Sequence, residues 1–170
     1  MRLVGEAWQE FFNSFEASAF RLETLPTYSV SAEVETIRRH SAGERPPADY
    51  HYPWLDQLAA YRAAGRVVQR VRIVCRPLSE YLSYEFVWHY AYNVRAGEDI
   101  RVLDLTDGPE LDLPNDFWMF DERTIVDMLY EADGTQIGRE LLVEPDVNSY
   151  IQCRDTLWTL AVPFEEYVAG

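Results

Sequence analysis

Apolar residues recur every three or four positions in several parts of the chain, which is the period of an α-helix with one buried face. The pattern predicts helices over 5–17, 32–41, 53–65, 78–95 and 146–161. The first of these carries an aromatic stripe made of Trp8, Phe11, Phe12 and Phe15. Such a stripe must pack on an apolar surface, and we expect that surface to be the protein's own core rather than a partner.

Runs of β-branched and aromatic residues predict five β-strands, over 66–75, 100–105, 117–121, 124–131 and 137–143. The first two flank the helix of 78–95, and this order predicts a parallel pair joined by a crossover helix. Asp133-Gly134, between the last two, is typical of a two-residue β-hairpin turn. Residues 20–23 alternate and then meet Leu25-Pro26, which predicts only a short extended segment.

Together these elements predict an α/β fold, with α+β as the alternative. The sheet is expected to be mixed and five-stranded, with helices packed against it. A loop at 45–49 separates an N-terminal helical arm or subdomain, residues 1–48, from the main fold, residues 49–170. A length of 170 residues favours a single domain over the whole chain.

Composition and charge exclude several classes of function. No apolar run reaches the roughly 18 residues of a membrane span, and the segment MRLVGEAWQEFF lacks the features of a signal peptide, so we expect a cytoplasmic protein. All 15 basic residues are arginines, and the chain has 29 acidic residues, so its net charge is −14. That charge opposes binding to a phosphate backbone, so we expect no direct contact with nucleic acid.

No motif assigns a catalytic, cofactor-binding or metal-binding residue, and we expect no cofactor. Cys75 and Cys153 lie far apart in apolar surroundings, which is typical of small core residues. The three histidines have no spacing that would place two of them on one metal ion. Gly97-Glu98-Asp99 offers one glycine and two acids where a phosphate loop needs amide donors and positive charge.

One group of residues is a candidate ligand or partner site. Arg70 and Arg72 are two positions apart on a predicted strand and therefore share a face. The fourth predicted helix has a second, aromatic face that includes Tyr81 and Glu85, where an unpaired carboxylate would be costly. We expect Glu85 to form an ion pair with Arg70, Arg72 or Arg101. The alternative is that burial makes Glu85 a general acid, although neither a nucleophile nor a second acid accompanies it.

Five segments of the chain form a recognisable series: FRLETLPTY at 20–28, RVRIVCRPLSEYLSYE at 70–85, AGEDIRVL at 96–103, DFWMFDE at 116–122 and the helix around Trp158. In order and spacing they resemble an actinobacterial family of unknown function. Its members are short single-domain proteins, often encoded beside helix-turn-helix regulators. The resemblance implies an actinobacterial source, which agrees with the absence of lysine, and it implies no activity.

The order of the later elements is also similar, more distantly, to one half of a phospholipase-D-like domain. That superfamily works through a His-x-Lys-x4-Asp motif. This chain has no lysine, and residues 124–131, where the motif would fall, contain no histidine. The resemblance therefore implies a degenerate half-domain without the phosphodiesterase site.

Two functional hypotheses follow. The first is a non-enzymatic intracellular interaction protein whose partner is a protein, in the family's context a helix-turn-helix transcriptional regulator. The alternative is an enzyme or small-ligand binder with a non-standard site around Arg70, Arg72, Glu85 and Arg101. Self-association through either aromatic helix is compatible with both hypotheses.

Overall fold

The computed structural model describes residues 1–170 and contains one mixed sheet of seven strands. The strands are β1 (Ser18–Glu23), β2 (Val67–Val74), β3 (Glu98–Asp104), β4 (Phe117–Phe120), β5 (Thr124–Tyr130), β6 (Gln136–Leu141) and β7 (Val162–Pro163). Their spatial order is β6-β5-β4-β1-β2-β3-β7. The three strands β1, β2 and β3 are parallel to one another, and every other neighbouring pair is antiparallel.

The prediction of a single mixed sheet with flanking helices is confirmed, but the predicted number of five strands is wrong. Residues 18–23, of which only a short extended segment was expected, form β1 between β4 and β2. The segment 1–48, expected as a helical arm, therefore supplies a central strand. Arg21 and Glu23 gave this strand a polar pattern, yet both side chains are buried. The other missed strand, β7, has two residues and is too short to leave a hydrophobic pattern.

Two local predictions about strand pairing are confirmed. The strands β2 and β3 are parallel neighbours, with Arg70 opposite Ile100. The strands β5 and β6 form an antiparallel hairpin around Asp133-Gly134, although residues 131–135 connect them rather than the predicted two-residue turn. Gly134 has a φ of +85°, and a Cβ there would collide with the backbone of Thr27. The turn therefore needs glycine both for its backbone conformation and for its close approach to the loop after β1.

The helices are α1 (Gly5–Asn13), α2 (Val34–Ser41), α3 (Pro53–Ala63), α4 (Glu80–Glu85), α5 (Ala91–Ala96), α6 (Val147–Leu160) and α7 (Phe164–Ala169). A 3₁₀ turn over Ser31–Glu33 precedes α2. A π-helical turn, Phe86–Tyr90, connects α4 to α5, so that residues 80–96 form one continuous helix. None of the helices combines the length and the apolar character needed to span a membrane.

The two faces of the sheet differ in chemistry. On one face, apolar side chains including Phe20, Leu22 and Phe117 pack with Leu157 of α6. The opposite face, called the charged face below, has an aromatic core under α1 and α3 and buried charges beside the helix of residues 80–96. The aromatic stripe of α1 lies in that core, where Phe12 is buried, as expected for packing on the protein itself.

Candidate functional site

Seven charged side chains are buried together on or beside the charged face, each between 0 and 8% exposed. This charge cluster consists of Arg21 and Glu23 of β1, Arg70 and Arg72 of β2, Glu98 of β3, Glu85 of α4, and Asp116 just before β4. Alternation along the strands directs residues two apart to the same face, which is why β1 and β2 each contribute a pair. Burial of so many charges is costly unless each one finds partners.

Glu23 is the centre of the cluster. Its Oε1 contacts Nη1 of Arg70 and lies 3.4 Å from Nε of Arg21, while its Oε2 lies 3.7 Å from Nε of Arg72. The hydroxyl of Tyr90 lies 3.0 Å from the same Oε2. Burial alone would raise the pKa of Glu23, but the guanidiniums of Arg70, Arg21 and Arg72 outweigh it and lower that pKa to about 2. Glu23 is therefore ionised across the physiological pH range.

Two further carboxylates lie on the outer sides of these arginines. Asp116 lies 3.5 Å from Nη2 of Arg21 and accepts hydrogen bonds from Thr24 and from the hydroxyl of Tyr28. Glu98 accepts a 2.7 Å hydrogen bond from Nε of Arg70. Arg21 and Arg70 each lie between two carboxylates, because Glu23 contacts both of them.

Glu85 has a different environment from the other carboxylates. Its Oε2 is 3.6 Å from Nε of Arg72, which is an ion-pair distance without a hydrogen bond. The expected contact with one of the three arginines is therefore present, and Arg72 is the partner. Burial and the negative charge of Glu23 raise the pKa of Glu85 to about 8 despite that contact. Glu85 thus mostly carries a proton at neutral pH, which differs from the expected ion pair and agrees with the raised pKa that the alternative interpretation assumed.

The phenol of Tyr90 joins the two glutamates. Its oxygen is 3.0 Å from Oε2 of Glu23 and 3.1 Å from Oε2 of Glu85. A phenol has one hydrogen, so it can donate to only one of the two carboxyl groups. Both contacts are hydrogen bonds when protonated Glu85 donates to Tyr90 and Tyr90 donates to ionised Glu23. The geometry thus agrees with the raised pKa of Glu85.

A cavity of about 960 Å³ lies over the charged face. The sheet contributes Arg21, Arg70 and Trp118 to its wall, and the helix of residues 80–96 contributes Tyr81 and Glu85. Other rings complete the lining, among them Trp8, Phe12, Tyr28, Tyr52, Trp54 and Tyr130. The cavity therefore combines rigid aromatic walls with charged groups that are already held in place.

A titratable group lines the cavity on its helical side. The hydroxyl of Tyr81 donates a 2.8 Å hydrogen bond to Glu33, and Nδ1 of His89 is 3.6 Å from the same carboxyl group. Burial raises the pKa of Glu33 to about 7, while burial and the charge of Arg70 lower the pKa of His89 to about 4. Near neutral pH the imidazole is uncharged, and the carboxyl group of Glu33 is close to its midpoint.

Residues 6–169 match the family DUF6879, a domain of unknown function. The chain belongs to the DUF6879 family. This agrees with the expected membership of a family without an assigned activity, whereas the actinobacterial source and the neighbouring regulator stay predictions. A search of curated proteins finds no match for this DUF6879 chain.

Among solved structures, the DUF6879 protein is weakly similar to a phospholipase D family member, Nuc from Salmonella typhimurium. The TM-score is 0.47 at 11% sequence identity, and the match covers 88% of this chain and 83% of that chain. The distant phospholipase-D-like resemblance seen in the sequence thus has a weak structural counterpart. At this level the similarity carries no functional information.

Four of the five residues singled out in the DUF6879 sequence come together. Arg70, Tyr81 and Glu85 line the cavity, and Arg72 lies against Glu85. Arg101 does not join them, so it is not the partner of Glu85 among the three candidate arginines. Its Nη1 donates a 3.0 Å hydrogen bond to the carbonyl of Trp158, and its guanidinium lies 4.3 Å from the centre of that ring. Side chains alternate between the two faces of a strand, and Arg101 is three positions after Glu98 in β3. Arg101 therefore points to the face opposite the charged face.

Several residues of the site were not identified from the sequence, namely Arg21, Glu23, Asp116, Tyr130 and Arg139. They lie on β1, β5 and β6 or, for Asp116, just before β4, and they come near β2 only through the order of strands in the sheet. The one available signal was the alternation in SAFRLE at 18–23, which is the pattern of a strand with two polar positions on one face.

Proposed function

We propose that this DUF6879 protein binds a small, polar aromatic molecule in the cavity on the charged face. The observation that carries the proposal is the cavity itself. Its volume of about 960 Å³ lies in the range of roughly 300–1,000 Å³ found for small-molecule sites. The second hypothesis from the sequence was an enzyme or a small-ligand binder with a site around Arg70, Arg72 and Glu85, and this proposal adopts the small-ligand binder.

The composition of the wall supports a ligand with both a ring and polar groups. Trp8, Trp54 and Trp118 give flat, rigid surfaces on which a ring packs at a small entropic cost. Arg70 is fixed by Glu23 and Glu98 before any ligand arrives. Groups that are held in place need no reordering on binding, which favours affinity.

The perturbed titration of two lining residues also supports a functional cavity. The pKa of Glu33 is raised to about 7 and that of Glu85 to about 8. Carboxyl groups with such shifts concentrate at binding and catalytic sites. We propose binding rather than catalysis, because the proton of Glu85 is held by Tyr90 and no nucleophile lies in the cluster.

Ligand-observed NMR with neutral aromatic fragments tests the proposal. Phenol, indole and benzamide are the probes, and two exposed glutamines give matched variants. Gln57 lines the cavity from α3, whereas Gln152 lies on α6 away from it. We expect at least one fragment to bind the wild-type protein and the Gln152→Trp variant but not Gln57→Trp. Absence of binding to the wild type, or unchanged binding to Gln57→Trp, would contradict the proposal.

The interaction with a helix-turn-helix regulator stays a prediction. The aromatic helix faces that motivated it are used inside the protein, where Phe12, Tyr84 and Trp88 are buried. Recovery of a regulator with the tagged protein from its native cell is the measurement that tests it.

A further inference from the structure

One corner of the cavity is lined by Arg21, Tyr130 and Arg139, and we call it the arginine corner. We propose that the arginine corner is the subsite for an anionic group, a carboxylate or a phosphate, on the ligand. The inference deepens the proposed function and rests on it, because it assigns the charge that the ligand carries.

Arg21 brings a buried donor without an acceptor to this corner. The residue is 3% exposed. Its Nη2 donates a 2.9 Å hydrogen bond to the hydroxyl of Tyr130, and its Nε lies 3.4 Å from Glu23. Its remaining nitrogen, Nη1, is buried and has no hydrogen-bond partner. An unpaired donor on a charged group is among the costliest to bury, so this nitrogen favours an incoming acceptor.

Tyr130 supplies a second free donor. Its hydroxyl oxygen accepts hydrogen bonds from Arg21 and, at 3.3 Å, from Nε2 of Gln136. Both contacts use the oxygen as acceptor, so the hydroxyl hydrogen donates to neither neighbour. Burial raises the pKa of Tyr130, so the phenol keeps this hydrogen.

Arg139 supplies the second positive charge. Its guanidinium lies 5.0 Å from the centre of the Trp8 ring and forms no ion pair, and its buried Nε has no hydrogen-bond partner. Burial lowers the pKa of Arg139, and the charge of Arg21 contributes to the lowering. Two like charges thus stand near each other at the cavity wall in a protein that has about twice as many acidic as basic residues.

The unpaired hydrogen-bond donors of the arginine corner favour an anionic group. Nη1 of Arg21, Nε of Arg139 and the hydroxyl hydrogen of Tyr130 have no acceptor, and all three residues line the cavity, so an anionic group with several oxygens is the chemical complement of this corner. Carboxylates and phosphates bind guanidinium groups through paired, charge-assisted hydrogen bonds. Trp8 and Trp118 lie beside the two arginines, which places a ring next to the anionic group.

The carboxyl groups in the cavity wall determine which end of the cavity the anionic group of the ligand occupies. Glu33 and Glu85 line the cavity from the helical side, where they repel an anion or donate no free hydrogen to it. Glu23 also lines the cavity, but its charge is shared among Arg70, Arg21 and Arg72, whereas Arg139 has no carboxylate partner. The end of the cavity at Arg139 is therefore the favourable one for an anionic group. The net charge of −14 repels anions from the surface as a whole, so measurements belong at about 150 mM salt, where screening limits that effect to short range.

Isothermal titration calorimetry with benzoate, phenyl phosphate and the neutral analogue benzamide tests the subsite. We expect one of the two anions to bind wild-type protein at least ~10-fold more tightly than benzamide. The Arg139→Gln variant should lose that advantage and keep its affinity for benzamide, while Arg139→Lys should retain part of it. Arg38→Gln, at an exposed arginine outside the cavity, should behave as the wild type.

The outcomes separate the two proposals. Tighter binding of benzoate than of phenyl phosphate assigns the corner to carboxylates, and the reverse assigns it to phosphates. Equal affinities for benzoate and benzamide would overturn the subsite and leave the cavity proposal standing, whereas absence of binding by all three would count against both. If Arg139→Gln does not fold, Tyr130→Phe provides the same test, because it removes a free donor without removing a charge.

Discussion

Arg21 and Arg70 are direct neighbours across the parallel strands β1 and β2, and both guanidiniums contact the same atom, Oε1 of Glu23. Like charges opposite each other destabilise a sheet. Here the shared carboxylate offsets the repulsion, and Asp116 and Glu98 lie on the outer sides of the two arginines. The result is a row of five charges that alternate in sign across the middle of the sheet.

The central member of this row should be the most sensitive to substitution. Glu23→Gln leaves two buried guanidiniums without their shared counter-charge, and removal of one partner of a buried pair typically costs about 3–5 kcal/mol. We expect a loss of this size in the free energy of unfolding, measured by urea denaturation. The matched variant Glu35→Gln removes an exposed carboxylate paired with Arg38 and should leave the midpoint nearly unchanged. Similar midpoints for the two variants would contradict the prediction.

Glu85→Gln should change the pH dependence of stability. The native state holds a proton on Glu85 up to a pKa of about 8, whereas the unfolded chain releases it near the ordinary value of 4.5. Between these values the native state binds more protons, so the contribution of this group to stability falls as the pH rises and is lowest above pH 8. Glutamine keeps the neutral form, so Glu85→Gln should gain stability relative to wild type from pH 5 to pH 9.

Urea denaturation of both proteins at several pH values across this window measures the difference. All other titrating groups, including Glu33, are shared and cancel in the comparison. A difference that is constant or that favours the wild type at high pH would show that Glu85 is ionised in the native state.

Asp121 should anchor the segment that leads into β1. Its carboxylate accepts hydrogen bonds from the backbone N–H groups of Glu16, Ala17 and Ser18, at 2.8, 2.7 and 2.9 Å. Asp121→Ala removes both carboxylate oxygens and with them all three hydrogen bonds, and it should cost about 1–2 kcal/mol in thermal or urea unfolding. Asp121→Asn keeps an oxygen acceptor and tolerates the left-handed backbone at a φ of 52°, so its loss should be smaller. Equal losses would rule out the hydrogen bonds as the cause.

Alanine substitutions at two glycines with similar φ angles would distinguish the cost of backbone strain from the cost of a steric clash. Gly134 has a φ of +85° and Gly43 one of +82°, but only at Gly134 would a Cβ meet other atoms, those of Thr27 and Tyr28. Alanine should therefore cost about 1–2 kcal/mol at Gly43 and at least ~2 kcal/mol more at Gly134. Urea denaturation of the two alanine variants measures this difference, and equal costs would mean that the hairpin moves away from Thr27 freely.

The elements that the sequence pattern predicted correctly are those whose side chains carry the local signal. The β-branched run of β2 predicts a strand from its own residues, and Asp133-Gly134 likewise predicts a turn. By contrast, β1 has Arg21 and Glu23 at alternate positions, which is the pattern of a half-exposed strand. Its central place depends on carboxylates and guanidiniums from other strands, and such long-range pairing leaves no local trace.

The candidate site, like the fold, could be predicted in part from the sequence. The spacing of Arg70 and Arg72 and the aromatic surroundings of Glu85 were sufficient to bring these three together. The sequence offered burial as one cause of a raised pKa for Glu85, but it could not reveal the second cause, the charge of Glu23, a residue 62 positions earlier in the chain. Arg139 was missed for a related reason, since its interest lies in having no counter-charge, which only the structure reveals.

The π-helical turn at Phe86–Tyr90 sets the rotational phase of the helix that covers the cluster. In a regular α-helix, residues five apart point about 140° away from each other, because each residue advances the helix by about 100°. Glu85 and Tyr90 are five apart, yet their side chains meet over Glu23. If residues 80–96 formed a regular α-helix instead, Glu85 and Tyr90 could not both face the sheet. The hydrogen bond between Glu85 and Tyr90 thus depends on the π-helical turn as much as on the charges below it.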